Sequence, residues 1–224
     1  MSTASKPAGA ASRSVKKAPP KRASRAKPAA GAAEEAAEST RDRVLRVATE
    51  LFSRNGYHGT GMTELGEEAG LQRGALYYHI GSKEQLLYDV CTLHIHVALA
   101  YGSAAVATSD DARVQFRALV HAHLRTLAER RDDVVTAERE MHALSGDWAK
   151  QFVKLRHQYQ DLFTSVLERG VEQGHFTRAS SVDVFGVLGM LNYTYVWLDP
   201  RGPIPVEEVA DRLHDLLVQG LSTR

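Results

Sequence analysis

The stretch RGALYYHIGSKEQLL, Arg73 to Leu87, sets two tyrosines and a histidine side by side ahead of a Gly-Ser break. Successive residues on a helix point about 100° apart, so Tyr77, Tyr78 and His79 cannot all face one core. Leu76 and Ile80 lie one turn apart and can. The spacing predicts a short helix from about Arg73 to Ile80 that packs through those two residues and leaves polar aromatic surface outside. Ser82 then caps a long helix, with Glu84 beside its positive N-terminal end.

Upstream, Val44, Val47, Ala48, Leu51 and Phe52 recur at helical spacing, Ser39 and Asp42 form a capping box, and Asn55-Gly56 stops the helix. A second short helix carries Met62, Leu65 and Ala69 inward and ends at Gly70. Two short helices joined by EEAGLQ (67–72), behind a helix able to hold them at a fixed angle, make a helix-turn-helix arrangement. Downstream, helices are predicted at about Asp111–Arg130, Asp133–Leu144, Trp148–Gln173, Val182–Leu198 and Pro205–Leu221, each bounded by turn residues. No alternating β-branched run is long enough for a strand, so the fold class is all-α.

From Thr40 to Leu87 the sequence RDRVLRVATELFSRNGYHGTGMTELGEEAGLQRGALYYHIGSKEQLL, with its preceding threonine, resembles the DNA-binding domain of the tetracycline-repressor-like (TetR) family of transcriptional regulators. LYYH followed by SKEQLL is the most specific part. The resemblance implies that Gln72 and Arg73 reach base edges, where arginine can read guanine and glutamine adenine. It implies backbone and sugar contacts for Tyr77 and His79, and for Tyr78 a role divided between DNA and packing on the first helix. Lys83 at a helix N-terminus suits a phosphate, and Thr60 is expected to donate to another. His58 reads as a turn residue. Gly61 and Gln72 depart from the hydroxyl residues common in the family at those positions, which removes one phosphate donor and points to a different operator.

The net charge of +1 conceals an asymmetry. Residues 1–38 hold eight Lys and Arg against three Glu, leaving 20 basic and 24 acidic residues for the remainder. Such a leader is too poor in apolar residues to offset the entropy of ordering, and is expected to be a disordered basic arm. It either strengthens binding to any duplex or serves as a solubilising leader. The leader lacks the apolar core of a secretory signal; a transit peptide, also basic and acid-poor, is the other reading kept, and the expected location is cytoplasmic. No apolar run is long and uninterrupted enough for a membrane span. Cys91 is the only cysteine, which leaves no intrachain disulfide and no cysteine-based zinc site.

The expected organisation is a basic arm (1–38), a helix-turn-helix domain (39–86) and a larger ligand-binding and dimerisation domain (87–224). The apolar residues of 182–198 cover nearly the whole helix circumference, which suits either a central core helix or one face of a dimer formed with the last helix. In the dimer reading Phe185, Leu188, Tyr193, Val209, Leu213 and Leu216 form the interface. LGMLNYTYVWLDPRGPIPVEEVAD (188–211) is similar to a subgroup responsive to acyl-CoA thioesters that regulates lipid and steroid breakdown. The effector classes kept open are an acyl-CoA, another hydrophobic metabolite, or none. For an acyl-CoA, Arg125, Arg139 and Arg156 are candidates for the phosphates and Trp148, Tyr159 and Trp197 for the acyl tunnel. His94-x-His96 and His121-x-His123 make no metal site, since residues two apart on a helix diverge by about 200°. No phosphate-binding glycine loop or nucleophile elbow is present, so no cofactor and no catalysis are expected. The partners expected are a palindromic double-stranded DNA operator, a second copy of the chain and a small hydrophobic effector, with repression as the outcome. A helical adaptor that has lost DNA binding is the alternative.

Overall fold

The computed structural model describes residues 38–221. Of the predicted basic arm only Glu38 falls within them, and its carboxylate accepts from the Arg46 guanidinium at 3.0 Å. The described residues form ten α-helices and one 3-10 turn, with no strand. Helix α1 spans Thr40–Gly59, α2 Met62–Glu68, α3 Arg73–Ile80, α4 Lys83–Val106 and α5 Ala112–Glu129. Then follow α6 at Arg131–Glu140, a 3-10 turn at Met141–Ala143, α7 at Gly146–Glu172, α8 at Ser181–Asn192, α9 at Thr194–Trp197 and α10 at Val206–Leu221.

Both N-cap serines read from sequence accept a helix N–H, although Asp42 takes the Ser39 hydroxyl and not its N–H, so the capping box is not closed. Ser39 Oγ accepts the Asp42 N–H at 3.1 Å while donating to the Asp42 carboxylate at 2.7 Å, and Ser82 Oγ accepts the Gln85 N–H at 3.0 Å. Each such cap stabilises its helix by about 1 kcal/mol. Gly56 breaks α1 with φ of 75°, a left-handed value that a side chain would strain, and this break proves central to the site. At the α2–α3 corner the Leu71 N–H donates to the Gly66 carbonyl at 2.8 Å. A Cβ on Gly66 would lie 2.9 Å from the Leu71 carbonyl oxygen, so only glycine lets this corner close.

Leu76 and Ile80 are fully buried against Val44, Ala48, Phe52 and Leu65, and they fix the roll of α3. Helix α4 packs on α1, α3, α5, α6 and α7 and so joins the helix-turn-helix to the remaining helices. The core continues through Phe116, Leu119, Leu124, Phe163 and Leu167 without a break.

Two predicted helices differ. The segment 133–144 starts earlier and tightens into the 3-10 turn after Glu140. The segment 182–198 divides at Tyr193, where the buried Thr194 hydroxyl donates back to the Leu191 carbonyl at 2.7 Å. Its burial differs too. Only Val184, Val187 and Leu191 of α8 are buried, while Val182, Phe185, Met190 and Tyr193 are exposed, so within one chain it is not a central core helix.

Candidate nucleic-acid interface and buried cavity

Helix α3 presents the residues that its inward face leaves over. Gln72 is its N-cap but makes no side-chain cap bond, and it is exposed, as are Arg73, Gly74 and Ala75. The Arg73 guanidinium lies over the Tyr77 ring at 5.7 Å and has no carboxylate partner among the described residues. Tyr78 is 85% exposed, so the packing half of its expected role is not realised. Its ring meets His79 edge-on at 5.3 Å. The half-buried His79 is tethered through its carbonyl, which accepts from Arg41, and Arg41 is itself paired with Asp89 on α4 at 2.7 Å. The result is a helix anchored by Leu76 and Ile80 that leaves amide, guanidinium, phenol and imidazole groups around its outer surface. Those groups suit base edges and phosphate oxygens.

Thr60 and Lys83 stand differently from expectation. Thr60 is 1% exposed, and its hydroxyl donates to the Gly56 carbonyl at 2.9 Å, completing the broken end of α1 rather than facing outward. Lys83 is half-buried with Nζ donating to the Tyr57 carbonyl at 2.6 Å and lying 4.4 Å from the Tyr57 ring centre. Desolvation holds its pKa below the usual lysine value. At Gly61 the backbone N–H is 3.4 Å from the Glu64 carboxylate, which also accepts from Asn55, so α2 is capped without a hydroxyl.

Tyr57 joins this surface to the rest of the protein. Its N–H donates to the Glu140 carboxylate at 2.8 Å, at the end of α6, while its carbonyl takes Lys83 at the start of α4. Arg139 donates to the Ser53 carbonyl at 2.9 Å. Both α4 and α6 also wall a cavity of about 400 Å³. Its lining includes Ile95 and Ala98 of α4, Leu127 of α5, Val134 of α6 and Phe152 of α7, with His94, His123, Glu138 and Tyr159 as polar members. Arg156, His157 and Phe185 stand on its exposed side.

Of the six predicted effector residues, the structure brings Arg156 and Tyr159 to this cavity. The other four lie away from it. Arg139 is occupied with α1; Trp148 is half-buried and packs on Tyr88 at 5.0 Å; Trp197 is 52% exposed on the outer surface. Arg125 pairs with Glu129 at 2.7 Å, stacks over Tyr101 at 4.6 Å, and borders a separate, more open hollow near the start of α10. His94 and His123, which spacing within each His-x-His does not single out, reach the cavity from different helices: His121 turns out to Asp211 at 2.7 Å while His123 turns in to the Tyr159 hydroxyl at 2.9 Å. No group of three or more metal-ligating side chains occurs among the described residues.

Comparison with known proteins supplies the family. Residues 44–90 match the bacterial regulatory proteins of the tetR family, and residues 109–221 match the tetracyclin repressor-like C-terminal domain. The chain belongs to the TetR family. Its TetR relatives include the transcriptional repressor KstR2 of Rhodococcus jostii, 26% identical over 82% of this chain and 91% of the relative. Among solved structures, the TetR regulator PfmR of Thermus thermophilus superposes with a TM-score of 0.72 at 35% identity, over 81% of this chain and all of that one. The structure of AibR in complex with isovaleryl coenzyme A and operator DNA shares the TetR fold, with a TM-score of 0.71 at 23% identity over 80% of this chain and 98% of that one. None of the helices in the described residues is long and apolar enough to cross a membrane.

Proposed function

We propose that this protein is a dimeric transcriptional repressor that binds a two-fold operator through α2 and α3 and is released by an amphipathic effector, of the acyl-CoA class, in the cavity. The observation that carries the reading is the state of α3: Leu76 and Ile80 are locked into the core while Gln72, Arg73 and Tyr78 remain exposed and uncommitted. In this division residues 39–86 read DNA and residues 87–224 bind effector and partner. Arg73 and Gln72 select bases, and Tyr77, Tyr78 and His79 fix register on the backbone. Lys83 positions the α1 turn through Tyr57 while lending charge. The protein works in the cytoplasm, without cofactor or catalysis.

The second copy covers the apolar surface left by α8 to α10. Phe185, Tyr193 and Leu216 are each more than half exposed, far more apolar surface than scattered exposure explains. Val209 is buried in its own chain and Leu188 and Leu213 are half-buried, so these three support the interface from behind. A Cβ at Gly186 or Gly189 would meet nothing within 4 Å, which leaves room for a close helix. The same two-fold arrangement sets paired recognition helices about 34 to 36 Å apart, one turn of DNA.

Release requires an effector that binds the two arrangements of the dimer unequally. Occupying the cavity acts on α4 and α6 together, and both reach the helix-turn-helix at Tyr57. The apolar walls suit an acyl group and the exposed Arg156 suits an anionic end. AibR, in complex with isovaleryl coenzyme A and operator DNA, offers a precedent for the ligand class on the same fold, though not for release.

Fluorescence polarisation of the full chain against the DNA upstream of its own gene tests this. Expected are salt-sensitive, sequence-selective binding and its loss when an acyl-CoA series is added. Binding equal on unrelated DNA would sink the repressor reading.

A further inference from the structure

The wall of the cavity contains two imidazoles that each have one ring nitrogen without a partner among the described residues. His123 of α5 is 4% exposed; its Nδ1 lies 2.9 Å from the Tyr159 hydroxyl, and its ring stacks beside the Tyr159 ring, with centroids 5.8 Å apart. Phe163, itself fully buried, closes the other side edge-on at 6.2 Å. The second nitrogen, His123 Nε2, is buried without a hydrogen-bond partner, and so is Nδ1 of His94 on the adjoining wall. Buried polar atoms in proteins are overwhelmingly paired, and one left bare costs about 1–3 kcal/mol. Two bare nitrogens in one cavity are accounted for when its occupant answers them.

The chemistry of the answer follows from the Tyr159 contact. A phenol is a better donor than a neutral imidazole N–H, and the imidazole nitrogen is a better acceptor than a phenol oxygen. Tyr159 therefore donates to Nδ1, and the ring proton of His123 sits on Nε2. That N–H requires an acceptor. Burial keeps both rings uncharged, assisted for His123 by His94 and for His94 by Arg156, Arg130 and His96. A carboxylate brought against His123 would lose its water with only uncharged rings around it, since the arginines act on His94 and not on His123. An anionic end belongs instead on the exposed side, near Arg156 and His157.

We propose, resting on the reading of this cavity as the effector site, that the effector carries an uncharged oxygen acceptor, a ketone or hydroxyl, on the end buried against His123. In this arrangement Nε2–H of His123 reads that oxygen, and Tyr159 is a positioning residue that fixes the tautomer. A plain hydrocarbon tail leaves the imidazoles bare. The site thereby distinguishes oxygenated acyl groups from unmodified chains of the same length.

Calorimetric titration of the full chain with decanoic acid and 9-oxodecanoic acid, each as free acid and as CoA thioester, tests the inference. The keto member is expected to bind about tenfold or more tightly than its plain partner in at least one series, the size of one well-made hydrogen bond to a buried donor. In His123→Phe that ratio falls towards one while the plain chain binds at least as well as before, an outcome that loss of fold would not produce. His123→Gln retains much of the preference because its amide can still donate, and Tyr159→Phe lowers it by freeing the tautomer. Equal binding of the keto and plain chains to the native protein, or a preference that survives His123→Phe, overturns the inference while leaving the effector cavity intact. If none of the four ligands binds, the cavity reading falls together with it.

Discussion

The carboxylate of Glu140 accepts the backbone N–H of Tyr57 at 2.8 Å, across a separation of 83 residues in the chain. The bond joins the last turn of α6 to the point where Gly56 breaks α1, and the Tyr57 carbonyl is held from the other side by Lys83. Val134 and Glu138, on the same ten-residue helix as Glu140, line the cavity. A shift of α6 on ligand binding therefore cannot leave the Tyr57 corner where it was. Glu140→Ala is expected to leave effector affinity for the DNA-free protein within about twofold. The factor by which saturating effector weakens operator binding should shrink about tenfold, a coupling loss of about 1.4 kcal/mol. Polarisation titrations with and without effector measure both; an unchanged coupling factor would remove α6 from the route.

On α3 the division between reading and anchoring is testable residue by residue. Arg73→Ala is expected to cost about 1–3 kcal/mol on the operator and to relax selectivity at one base pair. Tyr78→Phe removes a hydroxyl from an 85% exposed ring and should weaken all duplexes alike, without altering the fold. Ranking both variants against a library of single-base operator changes separates the two. A uniform loss for Arg73→Ala would reassign it to the phosphate backbone.

Much of this surface was legible beforehand because helical periodicity and side-chain chemistry agree there. Leu76 and Ile80 could only face inward, which turns Tyr78 outward, while Gln72 and Arg73 are exposed because they stand at the very start of the helix, and the structure has them so. Thr60 escaped the same logic because a hydroxyl beside a helix start looks like a phosphate donor, whereas it completes the broken end of the preceding helix. The cavity was harder still. Arg125, Arg139, Trp148 and Trp197 were chosen by residue type, yet which arginine or tryptophan lines a cavity depends on the relative roll of helices distant in sequence. Nothing in local spacing encodes that roll. His94 and His123 carry a signal only when α4 and α5 are laid side by side.

The same two histidines give the protein a pH-dependent stability. Burial is the main cause that lowers His123 to about 3 and His94 to about 4, below the ordinary histidine value. The unfolded chain then takes up protons first as pH falls, so the contribution is fully present above about pH 6.5 and is lost progressively below it. Each such group adds a slope approaching 1.4 kcal/mol per pH unit within that window. His123→Gln should flatten the decline of unfolding free energy between pH 6.5 and pH 4 relative to the native protein. Urea denaturation across that range checks it, and parallel curves for the two proteins would contradict a buried, neutral His123.

Gly66→Ala probes the corner that sets α2 against α3. The added Cβ would stand 2.9 Å from the Leu71 carbonyl oxygen, a backbone atom that cannot swing aside. Either the corner opens, breaking the Leu71 N–H bond to the Gly66 carbonyl, or α3 shifts on its Leu76 anchor. Destabilisation of about 1–3 kcal/mol is expected, with operator binding lost more steeply than stability because the bases are read by a displaced helix. Thermal unfolding alongside polarisation makes the comparison. Native-like operator affinity would show that the corner tolerates a wider separation than its geometry implies.

The exposed apolar face of α8 to α10 yields the last prediction. Phe185 is 58% exposed, Tyr193 62% and Leu216 59%, although the first two sit on a helix whose other side is buried through Val184, Val187 and Leu191. Charges placed on that outer face should be harmless to a chain that functions alone, because water already reaches it. In a dimer each charge is introduced twice, once per copy, and each is buried in the shared interface. Tyr193→Lys and Leu216→Glu, made singly, are therefore expected to fold with little change in helicity yet to sediment as monomers at micromolar concentration. Operator binding should fall by well over a hundredfold, since one recognition helix reads only half a site. A variant that remained dimeric with both charges in place would move the interface off this face.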